Sequence, residues 1–230
     1  LDWHKAVADI EGQGARSKGQ ENSGGKLTVD DIEGQGARGK GQENSGGKLT
    51  VDEVHIVSVG NECKELVLVM RREAEEQPLR LVCTNDGSTF SCVPSEATAP
   101  TLAEEPQPGH WLYVPNTSVM KGGCFGAVSR EFGIGMVAAN SHLFCSEKQA
   151  ADGFPGRCFR IEAISTMNRR QLKSALAGIT QANISCRNFP SDVASLRRKL
   201  HLSEGGDTHI FATTTHRGIR LLLVCKAVSP

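Results

Sequence analysis

The run ANISCRNFPSDVASLRRKLHLSEGGDTHIFATTTHRGIRLLLVCK, residues Ala182–Lys226, decides the reading of the fold. Ala182–Arg187 reads as a strand. Pro190 or Ser191 then opens a helix with Val193, Leu196 and Leu200 on one face and Arg197, Arg198 and Lys199 outside. In Glu204-Gly-Gly-Asp207 the glycines supply the positive φ that a turn needs. Thr208–Thr215 and Ile219–Lys226 then pair as a hairpin across His216-Arg217-Gly218. Strands that alternate with amphipathic helices and close on a hairpin build an α+β sandwich, sheet on one side and helices on the other.

The same alternation extends upstream. Asn168 caps a helix with Leu172, Ala175, Leu176 and Ile179 inside and Arg169, Arg170 and Lys173 outside. Arg157–Ile164, Ser141–Cys145 and Trp111–Val114 are strands. Thr117 or Ser118 caps a helix through Val119, Met120, Phe125, Val128 and Phe132 that Gly133 ends. Pro94–Pro108 is a Pro/Ala/Glu linker and a domain boundary. Before it, Val54–Val59 and Leu66–Met70 are strands joined at Gly60-Asn61, and Leu79–Cys83 and Thr89–Val93 form a hairpin around Asn85-Asp86-Gly87. Leu1–Ile10 has helical spacing of Trp3, Ala6, Val7 and Ile10.

A tandem repeat interrupts this pattern. Asp9–Asp30 reads DIEGQGARSKGQENSGGKLTVD, and Asp31–Asp52 repeats it with Gly39 in place of Ser17. Each unit offers only Ile, Ala, Leu and Val for burial, so residues 9–52 are expected as a flexible polar insertion rather than a solenoid. Gly24-Gly25-Lys26-Leu27 and its copy at 46–49 imitate a phosphate loop. They lack the leading glycine, the Ser/Thr after the lysine and a preceding strand.

The chain has 26 Lys+Arg against 26 Asp+Glu, so its formal net charge is zero. The charge is unevenly spread. Residues 157–200 carry nine basic side chains, Arg157, Arg160, Arg169, Arg170, Lys173, Arg187, Arg197, Arg198 and Lys199, against only Glu162 and Asp192. Such a segment suits an anionic partner, although solvated helix faces would have the same composition. No apolar stretch reaches the roughly 18 residues of a membrane helix. The eight cysteines contain no C-x-x-C and sit among apolar residues, so they read as reduced, buried hydrophobes of a cytoplasmic protein.

No constellation stands out as catalytic. The seven histidines are scattered, no G-x-S-x-G is present, and Glu62 and Glu65 read as solvated residues beside a turn. No catalytic, metal-binding or cofactor-binding residue is assigned. Glu131-Phe-Gly-Ile-Gly135 imitates a cofactor loop, but it follows a helix instead of a strand, so Gly133 is expected as a helix C-cap.

Asn183–Pro190, Val193–Leu200, Glu204–Thr214 and Leu221–Cys225 together resemble the THUMP-like domain that ends a family of bacterial class I S-adenosylmethionine-dependent methyltransferases. Trp111–Asn116, Asn140–Phe144 and Phe154–Arg157 resemble the ferredoxin-like domain of the same proteins, and Val54–Leu66 the last part of their catalytic core. The implied division is a residual core over 1–93 interrupted by the repeat, a linker over 94–108, a ferredoxin-like domain over 109–165 and a THUMP-like domain over 166–230. The first residue is Leu, and the cofactor loop and catalytic motif of such enzymes are expected upstream of it. S-adenosylmethionine is then the cofactor of the full-length enzyme and not of this chain, which is not expected to be active alone. The resemblance implies RNA as partner, and the basic count over 157–200 points to Arg169, Arg170, Lys173, Arg187, Arg197, Arg198 and Lys199 as its contacts. The alternative is a noncatalytic scaffold with no nucleic-acid role. RNA binding asks for one continuous basic face; a scaffold leaves the charges scattered and an apolar face open.

Overall fold

A computed structural model describes residues 2–13, 49–72, 77–94 and 98–228. Helix α1 (Trp3–Gln13) comes first. Strands β1 (Leu49–Val59), β2 (Glu62–Arg72), β3 (Arg80–Asn85) and β4 (Ser88–Cys92) form a sheet in the order β2-β1-β3-β4. β1 runs antiparallel to β2 and parallel to β3. Both hairpin turns have positive φ at their two central residues, Gly60 and Asn61 at 58° and 59°, Asp86 and Gly87 at 49° and 84°. These are the turns whose twist matches the strands they join. Val54, Ile56, Leu81, Cys83 and Phe90 point to one face and are buried there with Trp3. The Trp3 indole N–H donates to the carbonyl of Gly122 at 3.3 Å.

The insertion expected over 9–52 is shorter at both ends. Asp9–Gln13 lies in α1 and Leu49–Asp52 in β1. Ile10 continues the helical stripe of Trp3 and Val7 onto the core, and Val51 is only 5% exposed. The repeat therefore does bury something at its margins. Its expected flexibility and its phosphate-loop imitations fall on residues 14–48, outside the described residues.

A second sheet has seven strands: β5 (Trp111–Pro115), β6 (Gly135–Met136), β7 (Phe144–Ser146), β8 (Gly156–Ser165), β9 (Asn183–Arg187), β10 (Thr208–Thr214) and β11 (Arg220–Val228), in the order β6-β7-β5-β8-β11-β10-β9. The single helix expected over 117–133 is two, α2 (Thr117–Gly122) and α3 (Phe125–Phe132), because Gly123 turns left-handed at φ 67°. The cap is Asn116 rather than Thr117 or Ser118: its carbonyl Oδ1 accepts from the N–H of Val119 at 3.1 Å. Gly133 ends α3 in the left-handed region at φ 62°, as its sequence context predicts. The strand expected from Ser141 starts only at Phe144. Ser141 is instead tied into a tight turn, its hydroxyl donating to the Ala138 carbonyl at 2.8 Å and accepting from the Leu143 N–H at 3.2 Å.

The pleat sorts the seven-stranded sheet into two apolar faces. Ile184, Ile210, Ala212, Leu222 and Val224 face helices α4 (Arg169–Ala175) and α5 (Val193–Leu200). Leu112, Phe159, Ile161, Phe211, Leu223 and Cys225 face the other way, with Val137, Leu143 and Leu102. Leu102 belongs to the segment expected as a linker. Its N–H donates to the Met136 carbonyl at 2.9 Å, and further along Gly109 donates to Ile161 at 2.7 Å. Glu105 accepts from the Thr215 hydroxyl at 3.1 Å. Residues 98–110 are thus strapped to the sheet.

This packing yields two predictions. A Cβ on Gly156 would collide with the carbonyl oxygen of Val114 and approach the Pro115 Cα at 2.8 Å. Backbone cannot swing aside, so Gly156→Ala is expected to cost about 2–3 kcal/mol in urea unfolding. Deleting either Asp9–Asp30 or Asp31–Asp52 regenerates the same flanks, because both units begin DIEGQ and end LTVD. A single deletion is expected to leave the melting temperature within about 2 °C. Deleting 9–52 removes Ile10 and Val51, and should lower it by roughly 4 °C or more.

Candidate nucleic-acid interface

The two basic helices are held by their caps and their apolar faces. The Asn168 side chain accepts from the N–H groups of Arg170 at 2.9 Å and Gln171 at 3.3 Å, which starts α4. Asp192, rather than Pro190 or Ser191, caps α5 by accepting from the Ser195 N–H at 2.8 Å. Bonds from Ser195 to its carboxylate hold the Asp192 pKa below the usual value. His201 closes α5 in the left-handed region at φ 54°. Leu172, Ala175 and Leu176 of α4 and Val193, Leu196 and Leu200 of α5 pack into the same core on the same sheet face.

Since both helices lie on one side of the sheet, their outward faces look the same way. Arg169, Arg170, Lys173, Arg198 and Lys199 are exposed there. No ion pair to any of the five is found among the described residues. Arg198 makes one local bond, donating to the Ser195 hydroxyl at 3.3 Å. Five cations without acidic partners form a surface that can neutralise phosphates without reading sequence.

Arg197 does not join them. Its side chain is 20% exposed; Nη1 donates to the Ala182 carbonyl at 3.0 Å and Nη2 lies 4.0 Å from Glu204. It docks α5 onto the strand before it. Helical spacing holds the signal for this: Arg197 falls four residues after Val193 and three before Leu200, beside the apolar stripe, whereas Arg198 and Lys199 fall opposite.

Arg187 is also elsewhere. On β9, Ile184 and Cys186 face the helices, so Arg187 faces the other way. It pairs in register with Thr213 and lies near His142. Burial, and then the Arg187 charge, hold the His142 pKa below its ordinary value. Arg157 alternates to that same face, its guanidinium 5.3 Å from the Phe159 ring centre. Arg160 faces the helix side and lies 5.0 Å from the Trp111 ring centre. The nine basic residues of 157–200 are therefore divided between two sides of a sheet, and no single face collects them.

The remaining chemistry is structural. The four buried cysteines, 83, 124, 145 and 225, behave as hydrophobes, and all eight are free. Burial pushes the Cys145 thiol up to about 12, which removes its nucleophilicity. Glu62 pairs with Lys64 at 2.6 Å on the surface. Gly205 and Gly206 have φ of 106° and 71°, as their turn requires, and the Asn183 amide donates to the Gly206 carbonyl at 2.8 Å. No group of three His, Cys, Asp or Glu able to hold a metal occurs among the described residues. The Glu131–Gly135 stretch does not fit S-adenosylmethionine. Gly133 is spent on ending α3, and a Cβ on Gly135 would meet Leu102 Cδ2 at 2.8 Å, so this glycine makes room for the chain's own side chain.

Comparison with known proteins places these elements. Residues 156–227 match a family model described as THUMP domain-like, and residues 111–155 one described as a ferredoxin-like domain. The two meet where β8 begins. The crystal structure of a candidate methyltransferase from Porphyromonas gingivalis W83 is similar, with 30% sequence identity and a TM-score of 0.68, over 79% of this chain and 47% of that one. The chain thus spans about half the length of that protein. No curated protein matches it.

The two kinds of arginine on α5 should separate in stability measurements. Arg197→Gln loses a half-buried charged hydrogen bond and is expected to cost about 1–2 kcal/mol. Lys199→Gln should stay within about 0.5 kcal/mol. Equal costs would show that Arg197 is not a docking residue.

Proposed function

We propose that this chain is the RNA-recognition portion of a methyltransferase, with α4 and α5 gripping the phosphate backbone. The observation that carries the reading is the set of five exposed cations, Arg169, Arg170, Lys173, Arg198 and Lys199, on two helices anchored to one sheet face. The matches to THUMP-like and ferredoxin-like families and the likeness to a candidate methyltransferase support it. In this reading residues 1–93 are the end of a catalytic core, 94–108 the connection, and the ferredoxin-like unit gives way to the THUMP-like unit at the start of β8 rather than at residue 166. Arg197 supports the grip from behind as a positioning residue, and Arg187 contributes at most a second, separate contact. S-adenosylmethionine would be bound outside this chain, since the glycines that imitate its loop are committed elsewhere. Free, buried thiols support a reducing compartment, the cytoplasm. No helix among the described residues is long and apolar enough to cross a membrane.

A specific observation also favours the scaffold role. The basic residues are split between faces, and among the described residues the four-stranded sheet leaves an apolar face open. The two roles are compatible, because the cations and the open face belong to different sheets.

Salt dependence tests the RNA reading. Each phosphate contact contributes about 0.7–0.9 to the slope of log affinity against log salt. Arg198→Gln with Lys199→Gln should flatten the slope for a structured RNA by roughly 1.4–1.8 units if both touch phosphate, and Arg169→Gln, Arg170→Gln and Lys173→Gln together by roughly 2.1–2.7. Anisotropy titrations at several salt concentrations read this out. Folded variants with unchanged slopes, or a parent chain without RNA affinity, would remove these helices from the interface.

A further inference from the structure

Among the described residues, the four-stranded sheet is covered on one face only. On the opposite face the register places Val69, Glu53 and Arg80 in one row, and Val67, His55, Val82 and Ser91 in the next. Val57 and Val59 continue it along β1, and Val93 follows β4 on the same side. Among the described residues five large hydrophobic side chains are exposed, and four of them are here: Val59 at 56%, Val67 at 43%, Val69 at 41% and Val93 at 52%. Scattered surface valines are ordinary, but a concentration on one sheet face marks an interaction surface.

Three features say how this face is used. β2 runs Leu66-Val-Leu-Val-Met70, apolar on both sides, which is the pattern of a strand buried from both faces. Most charges on the face are paired, but Glu65, opposite Val57, has no ion pair among the described residues. Glu53 accepts from His55 at 2.7 Å and lies 3.5 Å from Arg80, which also donates to the Ser91 hydroxyl at 3.1 Å. An open cleft of about 680 Å³ at one end, bordered by Val69, Arg80 and Val93, leaves room for side chains of a partner.

We propose that this valine face is the docking surface for a cofactor-binding methyltransferase domain, seated on it through an amphipathic helix. The inference rests on the reading of the chain as part of a methyltransferase. The match spans 47% of the Porphyromonas gingivalis protein, so that protein has a further half available to cover such a face. A second copy of this chain is a poorer occupant. Its α1, α2 and α3 are committed to the first core and its α4 and α5 to another, so no described helix has an apolar face to offer.

The test uses Val67→Asp with Val69→Asp in two settings. One is this chain alone. The other is a full-length chimera in which the chain replaces its matching half of the Porphyromonas gingivalis protein. In the chain alone the double variant should leave the melting temperature and RNA affinity unchanged and abolish binding of an apolar fluorescent dye. In the chimera it should lower the melting temperature by several degrees, since two carboxylates would be buried unpaired. Equal effects in the two settings, dye binding that survives the substitutions, or a chimera that fails to fold would each overturn the proposal. Self-association of the parent chain that the substitutions dissolve would assign the face to a second copy instead. RNA affinity without docking sinks only the docking surface, and docking without RNA affinity sinks only the RNA reading.

Discussion

Strand β8 holds the molecule together. It pairs antiparallel with β5 on one side and β11 on the other, so the ferredoxin-like and THUMP-like parts share a single sheet with no seam between them. Gly156 opens this strand because only a residue without a side chain can lie against the backbone of Val114 and Pro115. One extra residue, Glu162, sits in β8 between the partners of Cys225 and Val224 and forms a bulge. A bulge bends a strand and re-aims the side chains beyond it. Before the bulge Ile161 faces the second core, and after it Ala163 faces the helices, so β8 serves two cores over ten residues.

That arrangement explains which parts of the fold are legible in the sequence. Periodicity reports a side chain's own element. The apolar stripe of α5, the hairpin turns at Gly60-Asn61 and Asp86-Gly87, and the C-cap at Gly133 all depend on neighbours a few residues away, and each is readable. The strap over 98–110 is not. Its Pro-, Ala- and Glu-rich composition is that of a linker, and its fixation comes from Met136, Ile161 and Thr215, partners remote in sequence. The break between α2 and α3 fails for a different reason. Met120, Phe125 and Val128 keep a plausible helical spacing across Gly123, so the stripe conceals a left-handed residue in its middle.

The candidate site divides along the same line. A count of basic residues over 157–200 treats a stretch of chain as a surface, but the pleat of a sheet sends successive residues to opposite sides. Arg157 and Arg187 therefore part company with the helices, although nothing in their local composition differs. Arg197 could have been separated from Arg198 and Lys199 by its helical angle alone. The five cations left are those whose exposure is set by helix geometry, which is why a helical count locates them and a strand count does not.

The distribution of charge and apolar surface then has a common physical cause. A helix anchored by one stripe must turn its remaining faces to water, and basic residues there add no burial cost; long Arg and Lys stems can also shield the stripe's edges. A sheet can leave its second face to water only when the residues there are polar, and an apolar second face asks for a cover. The seven-stranded sheet covers its second face with its own strap and the 137–143 turn, and its polar exterior is left to the helices. The four-stranded sheet has α1 and α2 on one face and no described element of this chain on the other. The valines of β1 and β2 are thus the residue pattern of a two-sided sheet in a setting that supplies one side. The imbalance sits at the end of the molecule opposite in sequence to the basic helices, so a partner on the valines would leave α4 and α5 free to meet a polyanion.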